Sequence, residues 1–432
     1  DVFLSHDWQT SRWMKLVTLF VVFNSQAAAL TSLLLSAALG FAEVYVGAHV
    51  LPLNLWVFCG YMVFLVQLCF WQRIRSCFVA PWMVFLDKMC IHQTNMPLKQ
   101  QGIDGLGTFV KHSEKLLVLW SRRYFTRLWC VYEIGCFLSR ERAPVEILPV
   151  KTSMLLVLVG VLWHMLMFSY CLILNSLLSV DAAERQSPLR FILISAAVSG
   201  VAIILLPIVN YLGMSLLDDM EQLPAQVETF RIEQSECFCC SNNHKHPQTG
   251  KTIMCDRELV YHSLAIMYSY LDQAGELEKF NRLVRETFAP KVFWRFGLLG
   301  THLPLRYVAR IVMASNLPFL SDLFWRISQG PETQIRDIEY VVWCTRLILH
   351  WLQPLLAMFF SVELSARMWK MTKNLKLRRI FLSILLSPIQ GLGAGCIFAS
   401  MELAVRWSAD TSWAPLVPFL LGLLLNFLLH LF

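Results

Sequence analysis

Two groups of residues have types and spacings that point to chemistry. The first is Cys237-Phe-Cys239-Cys240-Ser-Asn-Asn-His244-Lys-His246, followed by Cys255. Cys237 and Cys240 have CxxC spacing, and His244, His246 and Cys255 follow closely enough to complete a tetrahedral set. Zinc takes such mixed sulfur and nitrogen ligands. Six side chains compete for four places and there is no second CxxC. The same stretch therefore also reads as a Cys-rich polar turn capping a helix expected over about Asp256 to Phe288. The second group is spread along the chain. Ser5, His6 and Asp7 close one apolar run, Asp87 closes another, and Trp129 and Glu133 stand four apart in a helical pattern. A spacing of four puts both on one helix face. The structural alternative places Trp129 in a core and pairs Glu133 with Arg127 or Arg140. Asp87 is equally suited to capping its own loop, and Cys130 to packing. Gly102, Gly105 and Gly107 lack the GxGxxG spacing of a phosphate cradle.

The elements that must position this second group are legible. DVFLSHDW (Asp1–Trp8) and WMVFLD (Trp82–Asp87) are apolar strands with polar ends. KLLVLWS (Lys115–Ser121) is a continuous apolar run of the kind buried in a parallel sheet. RYFTRLWCVYEIGCFL (Arg123–Leu138) has helical periodicity. Strands alternating with helical connections predict a doubly wound parallel sheet. In such a sheet the ligand crevice lies beyond the carboxyl ends of the strands, where Ser5, His6, Asp7 and Asp87 fall.

Most of the chain is of another kind. Of its 432 residues, 56% are apolar and 16% charged, against about 45–50% and about 25% in soluble domains. The excess collects in blocks long enough to cross a bilayer: about Leu16–Leu39, Leu51–Trp71, Met154–Leu178, Phe191–Leu212, Ile338–Ser361, Ile380–Met401 and Trp413–Phe432. The net charge of +7 sits mainly in flanking loops, a positive-inside pattern that argues against nucleic-acid binding. The thirteen cysteines show no repeated spacing, as in a protein facing a reducing cytosol. The start at Asp1 and the apolar end at Phe432 read as a fragment.

This pattern divides the chain into 1–15, a first strand; 16–72, a two-span insertion; 73–150, the rest of the α/β module; 151–215, a second pair of spans; 216–337, a cytoplasmic helical region; and 338–432, the last spans. Two spans return the chain to its starting side, so the first and second strands can still pair. The tail resists this scheme. A single crossing at Ile338–Ser361 exposes Arg367, Lys370, Lys373, Lys376, Arg378 and Arg379 on the outside, against the positive-inside rule. An extra crossing or re-entrant segment near Ile311–Trp325 repairs it, although that stretch contains Pro318 and Asp322. His164 and His350 are ionisable groups within spans and read as interhelical hydrogen-bonding residues. Pro207 suggests a kink.

DVFLSH, VFLD and GIDGLGTFVKHSEKLLVLWSRRYFTRLWCVYEI together resemble the TIR (Toll/interleukin-1 receptor-like) domain family, over Asp1–Trp8 plus Trp82–Val150. The resemblance implies a flavodoxin-like module that faces the cytoplasm and self-associates. Some TIR domains cleave NAD at the nicotinamide–ribose bond. In them the glutamate of the Trp-x-x-x-Glu motif is catalytic, which carries over to Glu133, with Trp129 walling the cleft. A carboxylate there would stabilise the cation developing on the ribose. Ser5, His6, Asp7 and Asp87 match the cleft mouth, with NAD as substrate. His6 and Asp7 depart from the aromatic and basic residues that NAD-cleaving relatives often carry. The two-span insertion and the long loop after Asp87 are further departures. The resemblance thus implies a membrane-anchored signalling protein that hydrolyses NAD or, alternatively, a non-enzymatic scaffold at the membrane. A transporter would need a polar path that the spans do not reveal in the sequence.

Overall fold

The computed structural model describes the chain except residues 48–52, 93, 140–143, 179–187, 246, 248, 269–274, 289–304, 332–336, 373–378 and 432. The apolar runs with polar ends form strands β1 (Val2–His6), β2 (Val84–Leu86), β3 (Lys115–Trp120) and β4 (Val145–Pro149). They make one parallel sheet in the order β2-β1-β3-β4. Val2 pairs with Val84 on one side and with Lys115 on the other, so β1 and β2 are neighbours despite the long insertion between them.

The alternation of side chains along a strand assigns the two faces. Val2, Leu4, Leu117 and Leu119 pack against Met14, Leu19, Val22 and Phe23, on the first turns of α1 (Arg12–Val46). Phe3, Leu116, Val118 and Trp120 pack on the other face. There they meet α5 (Leu128–Leu138), which follows α2 (Leu53–Arg75), α3 (Met96–Asp104) and α4 (Leu106–His112) along the chain. The stack Phe3–Phe85–Phe109, with ring centroids 4.9 Å apart at each step, fastens the edge strand β2.

Among the described residues, six helices are long and apolar enough to cross a membrane: Arg12–Val46, Leu55–Arg75, Val150–Leu172, Ile203–Glu228, Ile338–Thr372 and Arg379–Val405. The chain is a multi-pass membrane protein on that ground. α1 and α2 run antiparallel, with the Asn24 amide donating to Leu68 O at 2.7 Å and Ser32 Oγ to Gly60 O at 3.5 Å. α6 (Val150–Leu178) and α7 (Pro188–Glu228) form the next pair. α7 continues past Leu212, where the sequence suggested a boundary. Its last turns place Leu216, Met220, Leu223 and Val227 in the core of the α/β module. The helix expected over Asp256–Phe288 is divided into α8 (Asp256–Tyr268) and α9 (Glu276–Leu283), the latter running into a π-turn at Val284–Phe288.

The segment near Ile311–Trp325 is a broken helix: α10 (Leu305–Asn316), a 3-10 turn at Leu317–Phe319, and α11 (Leu320–Gln329). Pro318 lacks an N–H and its ring displaces the helical carbonyls behind it. Those carbonyls find other donors: Tyr61 OH to Ser315 O at 2.8 Å and Trp351 Nε1 to Asn316 O at 3.1 Å. Gly60 permits this approach, since a Cβ there would lie 2.7 Å from Pro318 Cγ.

The broken helix runs alongside α1 for most of the bundle. Arg310 donates to Gln26 at 3.1 Å near the sheet, and Phe324 meets Phe41 at 5.3 Å near the other end. α12 (Asp337–Thr372) then returns, with Tyr340 bonded to Ile327 O, Trp351 beside Asn316, and Ser365 bonded to Asn210. Arg367 and Lys370 therefore sit toward the sheet end. Arg379 opens α13 (Arg379–Trp407) by pairing with Asp218 of α7. The last apolar block forms a shorter helix, α14 (Leu416–Leu431).

The span histidines have different surroundings. His350 Nε2 lies 2.5 Å from Glu402 Oε1, which also accepts from Tyr170 OH at 2.9 Å. This is an interhelical contact. His164 is packed against the rings of Tyr61 and Phe64, at 4.3 and 5.4 Å between centroids.

Candidate functional site

The carboxyl end of β1 separates its residues by face. Ser5 shares the face of Phe3 and points toward α5, where its hydroxyl hydrogen-bonds to both Glu133 Oε2 and Tyr124 OH. Tyr124 comes from the 3-10 turn Tyr124–Thr126 between β3 and α5. All three are buried, Glu133 with only 5% of its surface exposed. Burial pushes the Glu133 carboxyl well above the usual glutamate range, and the Asp87 charge adds to this against the opposing Ser5 hydrogen bond. Burial also raises the Tyr124 phenol and the Cys130 thiol well above their ordinary values. The Cys130 thiol donates to His6 O at 3.4 Å.

His6 approaches Asp87 across the mouths of β1 and β2, with Nδ1 3.9 Å from Oδ1. Burial lowers the His6 pKa despite the carboxylate beside it. Asp87 takes the Trp8 indole N–H at 2.5 Å through Oδ2 and the Lys88 backbone N–H at 2.6 Å through Oδ1. It thus pins its own loop as well as the Trp8 turn. Asp7 accepts the Gln9 N–H at 3.2 Å and lies 3.8 Å from Arg127 Nε. Arg127 also reaches Glu236 at 3.5 Å, so it pairs with these acids and not with Glu133. Arg140 lies outside the described residues. Trp129 does not join Glu133. Its indole is directed to Asp256 Oδ2 at 3.4 Å and meets Tyr132 edge-on at 5.7 Å.

Ser5 and Glu133 are therefore brought together, and so are His6 and Asp87, while Trp129 faces the Cys-rich segment. Tyr124 was missed in the sequence. Its signal is its place in the turn directly after β3, where a side chain can reach back over the strand ends. As it stands the Ser5–Glu133–Tyr124 group clamps β1 to α5. It presents an enclosed carboxyl whose burial opposes ionisation.

The Cys-rich segment begins with one helical turn, Phe238–Ser241, and reverses through left-handed backbone at Asn243 (φ 50°) and His244 (φ 55°). The reversal lets His244 N–H donate to Cys239 O at 2.8 Å and Ile253 N–H to His244 O at 2.9 Å. Cys239 Sγ is 3.9 Å from Cys240 Sγ, which is 3.8 Å from Cys255 Sγ. A tetrahedral metal with bonds of roughly 2.3 Å to sulfur holds its ligands roughly 3.8 Å apart. Ligand atoms of Cys239, His244 and Cys255 lie within 4.8 Å of one another, as do those of Cys237, Cys239 and Cys240.

This cluster can hold a metal, and Cys239 belongs to both groups. The CxxC spacing had singled out Cys237, whose Sγ is only 2.9 Å from that of Cys239. That separation is too short for both sulfurs to bind one ion. The group Cys239, His244 and Cys255 has the wider spacing, and the Asp256 N–H donating to Cys239 Sγ at 3.2 Å is the kind of outer contact that steadies a thiolate. His246 lies outside the described residues.

Comparison with protein-family models, with curated proteins and with solved structures returns no match for this chain.

Proposed function

We propose that this chain is a membrane-anchored signalling protein whose α/β part is a TIR-type, flavodoxin-like module facing the cytoplasm, and that the module works as a scaffold. The sheet order β2-β1-β3-β4 supports the flavodoxin-like reading, because it is the first part of the order 2-1-3-4-5. The reversal between β1 and β3 coincides with the Ser5–Glu133 contact, the position where that fold class carries ligands.

One observation favours the scaffold over the NAD hydrolase: Glu133 is enclosed by Ser5 and Tyr124, and burial opposes its ionisation. Stabilising a ribosyl cation requires a carboxylate facing the sugar. Enclosure denies the carboxyl that approach, and burial opposes the charge. Zinc in the cluster centred on Cys239 would serve structure, holding the Cys-rich cap over Trp129 and Asp256. Self-association of modules in the plane of the membrane is the mode of action implied by the family resemblance.

The test is NAD consumption by the detergent-solubilised chain, alone and clustered on a multivalent support. The scaffold reading expects none. Consumption that falls about 100-fold in Glu133→Gln, the loss typical of one electrostatic stabiliser, would establish the hydrolase instead.

A further inference from the structure

Where α1 leaves the sheet, a cavity of about 150 Å³ opens between β1, β3, β4, α1 and α10, with Lys115, Arg306 and Arg310 among its walls. The two guanidinium groups flank one ring, Arg306 at 4.7 Å and Arg310 at 5.6 Å from the centre of Tyr307. A third guanidinium, that of Arg75, stacks at 5.6 Å on Trp82, which forms another wall. Against these four cations stands one carboxylate in the cavity, Glu146. It is 5% exposed, pairs with Lys115 and Arg306, and accepts from Tyr307 OH at 2.5 Å. The Asp1 carboxylate lies at the margin, where it accepts the Met83 N–H at 3.1 Å. The balance is positive by two or more charges.

The depth of the cavity is set by α1. Its 35 residues span about 53 Å at about 1.5 Å each, whereas a hydrocarbon core is about 30 Å thick. Counting about 20 residues back from Val46 places the near boundary of the core around Gln26 and Ala27. Gln26 lines the cavity and is bonded to Arg310 at 3.1 Å. The cavity thus stands at the level of lipid headgroups, with Trp82 and Tyr307 as interfacial aromatics.

We infer that this cavity binds the phosphate of an anionic phospholipid, seated between Arg306, Arg310 and Lys115 with Arg75 at the rim. Guanidinium groups favour phosphate through paired N–H donors. Excess positive charge beside an anionic leaflet attracts such lipids. The lipid would bridge the sheet, through Lys115, to the broken helix, through Arg306 and Arg310. The inference is independent of whether the α/β module is of TIR type.

The test uses the full chain, delipidated in detergent, with native mass spectrometry and thermal unfolding. The probes are dioleoyl phosphatidylglycerol, dioleoyl phosphatidylcholine and inorganic phosphate. One phosphatidylglycerol per chain is expected to remain bound under activation that strips phosphatidylcholine, and to raise the unfolding temperature. Arg306→Gln and Arg310→Gln should each weaken this about five-fold, the scale of one basic side chain near a membrane surface. Arg306→Lys should retain most of it, and Arg367→Gln, on α12 outside the cavity, should change nothing. Arg306 is half-exposed, so its variants remain informative if Arg310→Gln fails to fold. Stabilisation by inorganic phosphate that depends on the same arginines, without lipid preference, would keep the phosphate site and overturn the lipid. Equal retention of both lipids in wild type and Arg306→Gln would overturn the site altogether.

Discussion

The Ser5–Glu133–Tyr124 group makes stability depend on pH in a definite direction. The folded-state pKa of Glu133 is raised above its ordinary value near 4.5, so the folded chain holds a proton that the unfolded chain gives up. The associated stability is fully present below the ordinary value and is lost as pH rises toward the folded value. His6 has the opposite sign. Its pKa is lowered from 6.5, so its contribution is present above that value and lost as pH falls below it. Glu133→Gln mimics the protonated acid and should flatten the decline of the unfolding temperature as pH rises above the ordinary value. Ser5→Ala should destabilise by about 1–3 kcal/mol, because it leaves two buried polar partners short of a hydrogen bond. An unchanged pH profile in Glu133→Gln would show that the carboxyl is ionised in the folded protein. The sequence placed Ser5 and Glu133 in one crevice because strand ends and helix starts are legible from apolar runs. It misplaced Trp129, because a shared helix face is about 100° wide and leaves room for two neighbours to face different partners.

Among the elements, the Cys-rich reversal before α8 offers the sharpest test. Purified chain should carry about one zinc per molecule by elemental analysis, and Cys239→Ser or Cys255→Ser should abolish it. Cys237→Ser should retain the metal, since its sulfur is too close to Cys239 for both to bind. Loss of metal in Cys237→Ser alone would shift the ligand set back to the CxxC pair. Spacing found the cluster but not Cys239, the sulfur common to both close groups, because the left-handed pair at Asn243 and His244 sets which side chains meet Cys255. The division of the Asp256–Phe288 helix was equally hidden, since both halves share one amphipathic pattern. The broken helix was legible in part. Its apolar run and Pro318 are plain in the sequence, but its carbonyls are satisfied by Tyr61 and Trp351, partners remote along the chain.

For the whole molecule, the broken helix runs beside α1, and counted as one further crossing it would reconcile the tail with the positive-inside pattern. With α10 and α11 traversing the bundle together, Arg367, Lys370 and Arg379 come to the sheet end, where basic loops belong. A membrane-impermeant thiol reagent applied to intact cells should modify Ser328→Cys and leave Lys111→Cys untouched, in a background where Cys77 and Cys90 are serine. Modification of both, or of Lys111→Cys alone, would break this arrangement. The loop between the first two spans falls largely at residues 48–52, outside the described residues, so Ser328 is the better probe of the far side.

The position of β1 in the sheet has a consequence for how the molecule is made. β1 lies between β2 and β3, yet two membrane helices separate it from β2 along the chain. During synthesis β1 emerges first and must wait while α1 and α2 enter the bilayer as a hairpin. Only a hairpin inserted with both ends on one side returns β2 to its neighbour. A chain whose α1 inserts alone, or the wrong way round, leaves β2 and β3 without the strand that joins them, with apolar edges bare. Completion of the sheet is therefore tied to correct insertion of the α1–α2 hairpin.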